Sequence, residues 1–315
     1  MPDYDASTTT DDVIAGVSLE GKLALVTGAS SGLGIETCRA LASGGAGVVM
    51  SARDPEKLEA AMDTIREALP AAELEPLLMD LADLDSVRAA AASVLQRYPS
   101  IDLLINNAGV MACPLMRTAQ GFEMQFGTNH LGHFVFTGLI AQALLAAAPA
   151  RVVNLSSGGH KFANVNFEDP NYQQREYDKW QAYGESKTAN ALFSVALDAR
   201  LRGRGVRAFA VHPGVIMTGL ARHMDEADFA LLSERAPGDA PLSFKTLEQG
   251  AATTVWAAVA PELSDEGGIY LENCQIAQPA VQGGDSGVES YALDAQAAER
   301  LWTLSEKLAG QAFDL

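Results

Sequence analysis

The stretch Lys22–Ser43, KLALVTGASSGLGIETCRALAS, decides the fold that the rest of the chain must complete. It opens with a short apolar run, after which Gly28, Gly32 and Gly34 follow at a G-x-x-x-G-x-G spacing. Apolar residues then recur at helical intervals, so the stretch predicts a buried strand, a glycine-rich turn and a helix. Glycines let the backbone approach a pyrophosphate closely, and the N–H groups at a helix start face its charge. In this order of elements, the glycine spacing indicates a dinucleotide site.

The same alternation of strand and helix continues along the chain. Short apolar runs are followed by segments with helical periodicity, which indicates a parallel sheet with helices on both faces. We therefore predict an α/β, Rossmann-type doubly wound sheet of about seven strands in a single domain. The predicted strands are Lys22–Val26, Val48–Ser51, Leu74–Met79, Ile101–Ile105, Arg151–Leu155, Val206–Val211 and Gly268–Leu271. The predicted helices are Ser31–Ser43, Pro55–Leu69, Leu84–Arg97, Gly121–Ala147, Tyr183–Arg202 and Asp294–Leu308.

Composition and charge limit the partners of this domain. The 315 residues are 48% hydrophobic, which is ample for a core, and their net charge of −18 would be repelled by nucleic acid and by anionic membranes. No run of about 18 apolar residues predicts a spanning helix. We expect residues 1–18 to form a mobile acidic tail with neither signal-peptide nor presequence character. We expect residues 19–274 to form the domain and residues 275–315 to form an extension with a closing helix.

Three cysteines and two histidines do not fit a metal site or a disulfide framework. Cys38, Cys113 and Cys274 have neither metal nor paired spacing, as expected of reduced thiols in a cytoplasmic protein. His130 and His133 have a spacing that a metal could use on a helix, but no acidic or sulfur ligand accompanies them in their motif. We therefore predict no bound metal.

Tyr183 and Lys187 lie four residues apart in AYGESKTANALF, which reads as a helix, so their side chains share one face. A phenol has a reference pKa of about 10, too high for a base at neutral pH. A neighbouring cation favours the phenolate and lowers that pKa. The pair is therefore a candidate proton-transfer device, although the same spacing also occurs on solvated helix faces.

Further motifs follow in a fixed order. They are NNAG at Asn106–Gly109, NHLGHF at Asn129–Phe134, VNLSS at Val153–Ser157, YGESK at Tyr183–Lys187 and HPGVIMT at His212–Thr218. Together with TGASSGLG, this set resembles the short-chain dehydrogenase/reductase family, in which one domain holds both cofactor and chemistry. The long gap between VNLSS and YGESK, the segment GFEMQFGTNHLGHF and the ending IYLENC…AERLWTLSEKL are most similar to the retinol dehydrogenase and WW-domain oxidoreductase-like branch.

The resemblance implies catalytic roles for four residues. Tyr183 would be the general acid/base, and Lys187 would lower its pKa and hydrogen-bond the nicotinamide ribose. Ser157 would hydrogen-bond the substrate oxygen. Asn129 would hold a water in a proton path to Lys187 and fix a kink in the long helix. Ser156 is the alternative serine, but neighbours in an extended chain face opposite sides, so only one can face the substrate.

The resemblance also implies a nicotinamide dinucleotide, and the end of the second predicted strand favours NADP(H) over NAD(H). Ala52 stands where the NAD-preferring pattern has Asp, and the guanidinium of Arg53 suits a phosphate. Asp54 could instead draw Arg53 away, and NAD(H) stays open as the alternative. The implied cofactor contacts, besides Tyr183 and Lys187, are Gly28, Ser30, Ser31, Gly32, Leu33, Gly34, Arg53, Asp80, Leu81, Asn107, Ala108, Gly109, Pro213, Gly214, Ile216 and Thr218.

Two long segments should set the substrate. Gly158–Gln181 is polar with interspersed aromatic residues, and Gly219–Leu247 carries apolar residues at helical spacing that would suit a lid. These residues could equally be buried against the domain. A lid would favour a medium or large apolar ketone, aldehyde or secondary alcohol, and NADP(H) would favour carbonyl reduction. NAD-linked alcohol oxidation, C=C reduction and dinucleotide sensing are the alternatives. The resemblance also implies a homodimer or homotetramer through the two long helices.

Overall fold

The computed structural model describes residues 4–229, 244–281, 284 and 286–315. Its centre is a sheet of eight strands in the order β3-β2-β1-β4-β5-β6-β7-β8. Strands β1 to β7 pair in parallel, and the two-residue β8 pairs antiparallel with β7. The strands are β1 (Leu23–Thr27), β2 (Gly47–Ala52), β3 (Leu74–Leu78), β4 (Leu103–Asn106), β5 (Ala150–Leu155), β6 (Val206–His212), β7 (Ile269–Glu272) and β8 (Gln275–Ile276).

Helices cover both faces of the sheet. One face packs against α1, α2, α3 and α7, and the other against α4, α5, α6 and α8. The predicted doubly wound α/β fold is therefore confirmed. The helices are α1 (Thr10–Ile14), α2 (Leu33–Ser43), α3 (Pro55–Ala68), α4 (Leu84–Arg97), α5 (Gly132–Ala146, preceded by Met124–Phe126 and a π-helical turn at Gly127–Leu131), α6 (Lys179–Leu201), α7 (Leu247–Val259) and α8 (Ala295–Ala309).

Besides α1, helix α7 and strand β8 were absent from the prediction, each for a physical reason. Helix α7 is buried over most of its length, so its sequence shows no polar face from which a helical period could be read. Its capping box, in which Thr246 and Gln249 bond to each other's backbone N–H, is a signal that could have revealed it. Strand β8 has only two exposed residues and shows no alternation.

Residues 4–18 lie against the domain in the structure, whereas the sequence predicts a mobile tail there. Thr9 caps α1 in a capping box with Asp12. The Thr10 hydroxyl donates to the carboxylate of Glu36 on α2, and Val13 is buried in the core on that face of the sheet. The sequence gives little warning of this packing, because α1 contributes a single buried apolar side chain.

Truncating Val13 tests this packing. We expect Val13→Ala to lower the free energy of unfolding by about 1–2 kcal/mol, since two buried carbon atoms lose their contacts. The matched control is Val281→Ala, because Val281 is 74% exposed and Val13 only 3%. Chemical denaturation monitored by tryptophan fluorescence measures both variants. Equal stability of the two would mean that the segment is mobile in solution.

The extension docks helix α8 on the two long helices α5 and α6. The Trp302 ring lies 4.9 Å from Phe134 and 6.1 Å from Phe193, measured between ring centroids. The Arg200 guanidinium stacks 4.0 Å over the Trp302 ring and pairs with Glu299. Part of the surface implied for subunit contact is thus covered by the chain itself, and a homodimer or homotetramer stays a prediction. Within the described ranges, no helix has the length and apolar character to cross a lipid bilayer.

Candidate active site

A cleft of about 1390 Å³ opens at the carboxyl ends of the central strands, where ligands bind in open α/β sheets. All the cofactor contacts implied by the sequence line this cleft, as do Ser157, Tyr183 and Lys187. Asn129 does not line it and lies behind the loop that contains Gly109. The parallel sheet brings these residues together from positions far apart in sequence.

The glycine turn after β1 leaves no room for side chains. Gly28 has φ +67°, and a Cβ there would lie 2.8 Å from the Cα of Ala108. A Cβ on Gly34 would overlap the carbonyl oxygen of Gly28 and lie 2.8 Å from Asn107 Nδ2. The turn therefore packs its backbone directly on the loop after β4, and the start of α2 faces a cradle that a dinucleotide fits.

A buried network joins this turn to the long helix. The Thr27 hydroxyl oxygen accepts the N–H groups of Asn107 and Ala108, both at 3.0 Å, and lies 2.8 Å from His133 Nε2. His133 Nδ1 donates to the carbonyl of Asn129 at 2.9 Å. Burial lowers the pKa of His133 to about 4, so its ring is neutral and Nε2 accepts the Thr27 proton. The sequence flagged His133 only as a weak metal candidate, and its bond to Thr27 could not be read from spacing.

The two histidines of this motif have different partners. His130 Nε2 lies 2.7 Å from the Ser305 hydroxyl of α8, and burial lowers the pKa of this imidazole to about 3. His133 faces Thr27 instead. Throughout the part of the chain that the structure describes, no three His, Cys, Asp or Glu side chains are grouped as a metal site would require.

Asn129 lies within the π-helical turn, at the position where the family resemblance implies a kink in the long helix. Its amide pairs with both backbone groups of Val110, at 2.8 Å to the N–H and 2.9 Å to the carbonyl. Asn129 Nδ2 also donates to the Ser186 hydroxyl at 2.9 Å. A Cβ on Gly109 would lie 3.3 Å from Asn129 Oδ1 and 3.5 Å from Lys187 Nζ, so these two side chains meet behind the same glycine. A π-helical turn at such a position is common in functional sites.

Tyr183 is 3% exposed and is surrounded by Ala112, Trp180 and Phe162. Burial raises the pKa of its phenol to about 12, and a hydrogen bond with Ser157 acts in the opposite direction. Lys187 Nζ donates to the carbonyl of Leu155 at 3.0 Å and lies 5.8 Å from the centroid of the Tyr183 ring. The net shift of the Tyr183 pKa is upward and is caused by burial, and the lowering effect expected of Lys187 stays a prediction.

Burial also acts on Lys187, since it lowers the pKa of that ammonium to about 8. Desolvation disfavours the charged form of either group, so the phenol becomes a weaker acid and the ammonium a stronger one. Their pKa values, about 12 for Tyr183 and about 8 for Lys187, therefore lie further apart than the ordinary values of 10.0 and 10.5. At neutral pH both carry their protons.

The two serines after β5 point in different directions. The Ser156 hydroxyl donates to the carbonyl of Lys187 at 2.8 Å and so faces the helix backbone. The Ser157 hydroxyl oxygen accepts from the N–H of Gly159 at 3.0 Å and lies beside Tyr183. A Cβ on Gly159 would lie 2.7 Å from the Tyr183 ring, so only glycine lets these groups meet.

Arg53 lies exposed at the end of β2 on the rim of the cleft. The neighbouring Asp54 caps α3 by accepting the N–H of Lys57 at 3.1 Å, and it pairs with Lys57 Nζ at 3.4 Å. Asp54 is therefore engaged by the helix start and does not draw Arg53 away. No ion pair joins Arg53 to another residue of the described chain.

The segment after β5 contributes only some of its aromatic residues to the cleft. Phe162 and Trp180 line it, whereas Tyr172 and Tyr177 pack on each other at 5.0 Å between ring centroids. The Tyr177 hydroxyl donates to the buried carboxylate of Glu123. Tyr172 and Tyr177 thus hold the segment Gly158–Gln181 against the domain and do not contribute to the cleft.

The segment expected as a lid is described only in part. Residues 230–243, with the predicted Leu231, Leu232, Pro237, Gly238 and Pro241, lie outside the described residues. In the described portion, Asp228 accepts from Trp180 Nε1 at 2.9 Å and from Lys179 Nζ at 2.6 Å. Residues Leu220, Met224 and Phe229 line the cleft. These contacts tie the segment to the start of α6, and its movement as a lid stays a prediction.

Known proteins share this sequence and architecture. The short chain dehydrogenase family profile matches residues 22–228. Retinol dehydrogenase 13 of Homo sapiens is 40% identical over 293 residues, which cover 93% of this chain and 86% of that protein. The crystal structure of an uncharacterized protein from Mycobacterium Paratuberculosis superimposes with a TM-score of 0.76 at 36% identity, covering 98% of this chain and 100% of that one. The Pseudomonas aeruginosa RhlG/NADP active-site complex has a TM-score of 0.64 at 25% identity, covering 81% and 95%.

Proposed function

Because the chain belongs to the short-chain dehydrogenase/reductase family, we propose that it transfers a hydride between NADP(H) and the carbonyl or secondary alcohol of a medium-to-large apolar substrate. The observation that carries this proposal is the meeting of Tyr183 and Ser157 in one cleft with the glycine cradle. Their side chains line the same cleft as the turn around Gly28 and Gly34, which would hold a dinucleotide. The sheet thus places Tyr183, Ser157 and the glycine turn around the same cleft.

The proton chemistry belongs to the protein side chains. When bound, the nicotinamide supplies or accepts the hydride. In reduction, Tyr183 gives its proton to the substrate oxygen while the Ser157 hydroxyl holds that oxygen. The phenol carries its proton at neutral pH, as a proton donor must, because burial raises its pKa to about 12. Lys187, whose pKa burial lowers to about 8, is the nearby group that can return a proton to Tyr183.

Arg53 supports the preference for NADP(H). Its guanidinium is exposed on the cleft rim without an ion-pair partner in the described chain, so it is available to a 2′-phosphate. Ala52 beside it offers no carboxylate to a ribose hydroxyl. The similarity to RhlG, solved as an NADP complex, also supports this preference.

Cofactor titration of Arg53→Ala tests the proposal. We expect wild type to bind NADPH more tightly than NADH, and the variant to lose about tenfold in NADPH affinity because a charge-assisted bond to phosphate is removed. Affinity for NADH should stay unchanged. Quenching of tryptophan fluorescence during titration measures both. The control is Arg66→Ala, which removes the same charge from α3 away from the cleft.

Either of two results would contradict the proposal. A wild-type preference for NADH, or an NADPH affinity unaffected by Arg53→Ala, would point to NAD-linked alcohol oxidation. Binding of neither cofactor would overturn the oxidoreductase function itself. If NADPH binds, its consumption with apolar ketones and aldehydes of increasing size tests the substrate class, which the lining by Trp180, Phe162 and Met224 supports.

A further inference from the structure

The main-chain carbonyl of Ser157 accepts an unusual number of hydrogen bonds. The backbone N–H of His160 donates to it at 3.0 Å, and His160 Nδ1 donates at 2.7 Å. The Tyr270 hydroxyl donates at 2.9 Å from β7. The hydroxyl of the same serine faces Tyr183, so the backbone that carries this hydroxyl is held from behind by an imidazole and a phenol.

The partners of His160 determine its tautomer. The carbonyl of Ser157 can only accept, so ring Nδ1 carries the proton, and ring Nε2 accepts the backbone N–H of Glu289 at 3.1 Å. Both ring nitrogens are therefore satisfied by a neutral imidazole, and burial lowers the pKa of this ring to about 4. The carbonyl of His160 accepts the hydroxyls of Tyr291 and Thr188, at 2.8 Å and 3.1 Å.

His160 does not line the cleft, so it touches neither a substrate nor a cofactor there. It joins the backbone of Ser157 to α6 near Lys187 and to the extension at Glu289 and Tyr291. Ser157 itself has extended backbone angles, φ −168° and ψ 156°. If its carbonyl turned, the peptide that follows would turn with it, and the hydroxyl would move relative to Tyr183.

We propose that His160 is a positioning residue for Ser157: its Nδ1–H holds the serine carbonyl, and thereby the serine hydroxyl, in register with Tyr183. The proposal rests on the proposed function, since it assigns the geometry of the same acid/base site. The bond from Nε2 to Glu289 is a separate contact, which anchors the extension.

Two substitutions separate these contacts. His160→Asn places an amide N–H near the position of ring Nδ1, which keeps the donor to Ser157 and loses the acceptor for Glu289. His160→Gln places its polar atoms near the position of Nε2, which keeps the acceptor for Glu289 and loses the donor to Ser157. We expect His160→Gln to lose about tenfold or more in kcat, because small displacements of a reacting group are costly. His160→Asn should keep kcat within about threefold, a loss no larger than that of one ordinary hydrogen bond.

The readouts distinguish positioning from structure. NADPH affinity and the concentration of binding sites come from fluorescence titration, kcat and KM from NADPH consumption, and stability from thermal unfolding. If His160 is a positioning residue, His160→Gln has the lower kcat of the two variants. His160→Asn, which loses the bond to Glu289, is then destabilised at least as much as His160→Gln. A wild-type kcat in His160→Gln, or losses of kcat that follow stability in both variants, would overturn the proposal.

Ser157→Ala in the same assay shows which proposal fails. An active wild type and an impaired Ser157→Ala, together with a fully active His160→Gln, would overturn the role of His160 alone. An inactive wild type, or a Ser157→Ala variant with wild-type kcat, would overturn the proposed function and the role of His160 with it.

Discussion

Replacing Tyr183 with Phe is expected to lower kcat by about 10²- to 10⁴-fold, the usual contribution of a positioned acid. The variant keeps the ring that packs 6.4 Å from Trp180 between centroids and loses only the hydroxyl. NADPH affinity and thermal stability should therefore stay close to wild type. Single-turnover absorbance at the NADPH band measures the chemical step, and fluorescence titration measures binding.

Tyr172→Phe is the matched control for this prediction. Tyr172 is also buried and lies on the segment between Ser157 and Tyr183, but it does not line the cleft. The same chemical change there should leave kcat unaltered. Retention of full turnover by Tyr183→Phe would show that another group supplies the proton, and the assignment of Tyr183 would fail.

The second large effect is expected from Gly34→Ala. A methyl group there would overlap the carbonyl oxygen of Gly28, and neither backbone can yield as a side chain could. We expect NADPH affinity to fall by about 100-fold, which corresponds to about 3 kcal/mol and matches the upper range of overpacking strain. Helix propensity alone predicts the opposite sign for stability, because Ala is favoured over Gly in a helix by about 1 kcal/mol.

Gly203→Ala is the control, since no heavy atom lies within 4 Å of a Cβ at that position. NADPH titration and thermal unfolding of both variants check the prediction. Wild-type affinity in Gly34→Ala would mean that the contact with Gly28 relaxes in solution. In that case the close backbone packing would not be required for the cradle.

The sequence predicts those parts of the molecule that short stretches encode. The run from Lys22 to Ser43 carries its own strand, turn and helix, and all the implied cofactor contacts line one cleft. The raised pKa of Tyr183 depends on burial, which the Tyr183–Lys187 spacing does not contain. The bond between His160 and Glu289 joins positions 129 residues apart, so no local sequence pattern could predict it.

The cradle built by Gly28 and the loop after β4 also has a place in the order of folding. Thr27 and Asn107, which bond to each other at its base, are 80 positions apart in the chain. Non-local pairing of parallel strands is slow compared with the formation of local helices. A nascent chain holding only β1, β2 and β3 would therefore contain the glycines without the wall they rest on. The glycine cradle is therefore complete only when β4 joins β1, so its assembly marks the moment at which the two halves of the sheet unite.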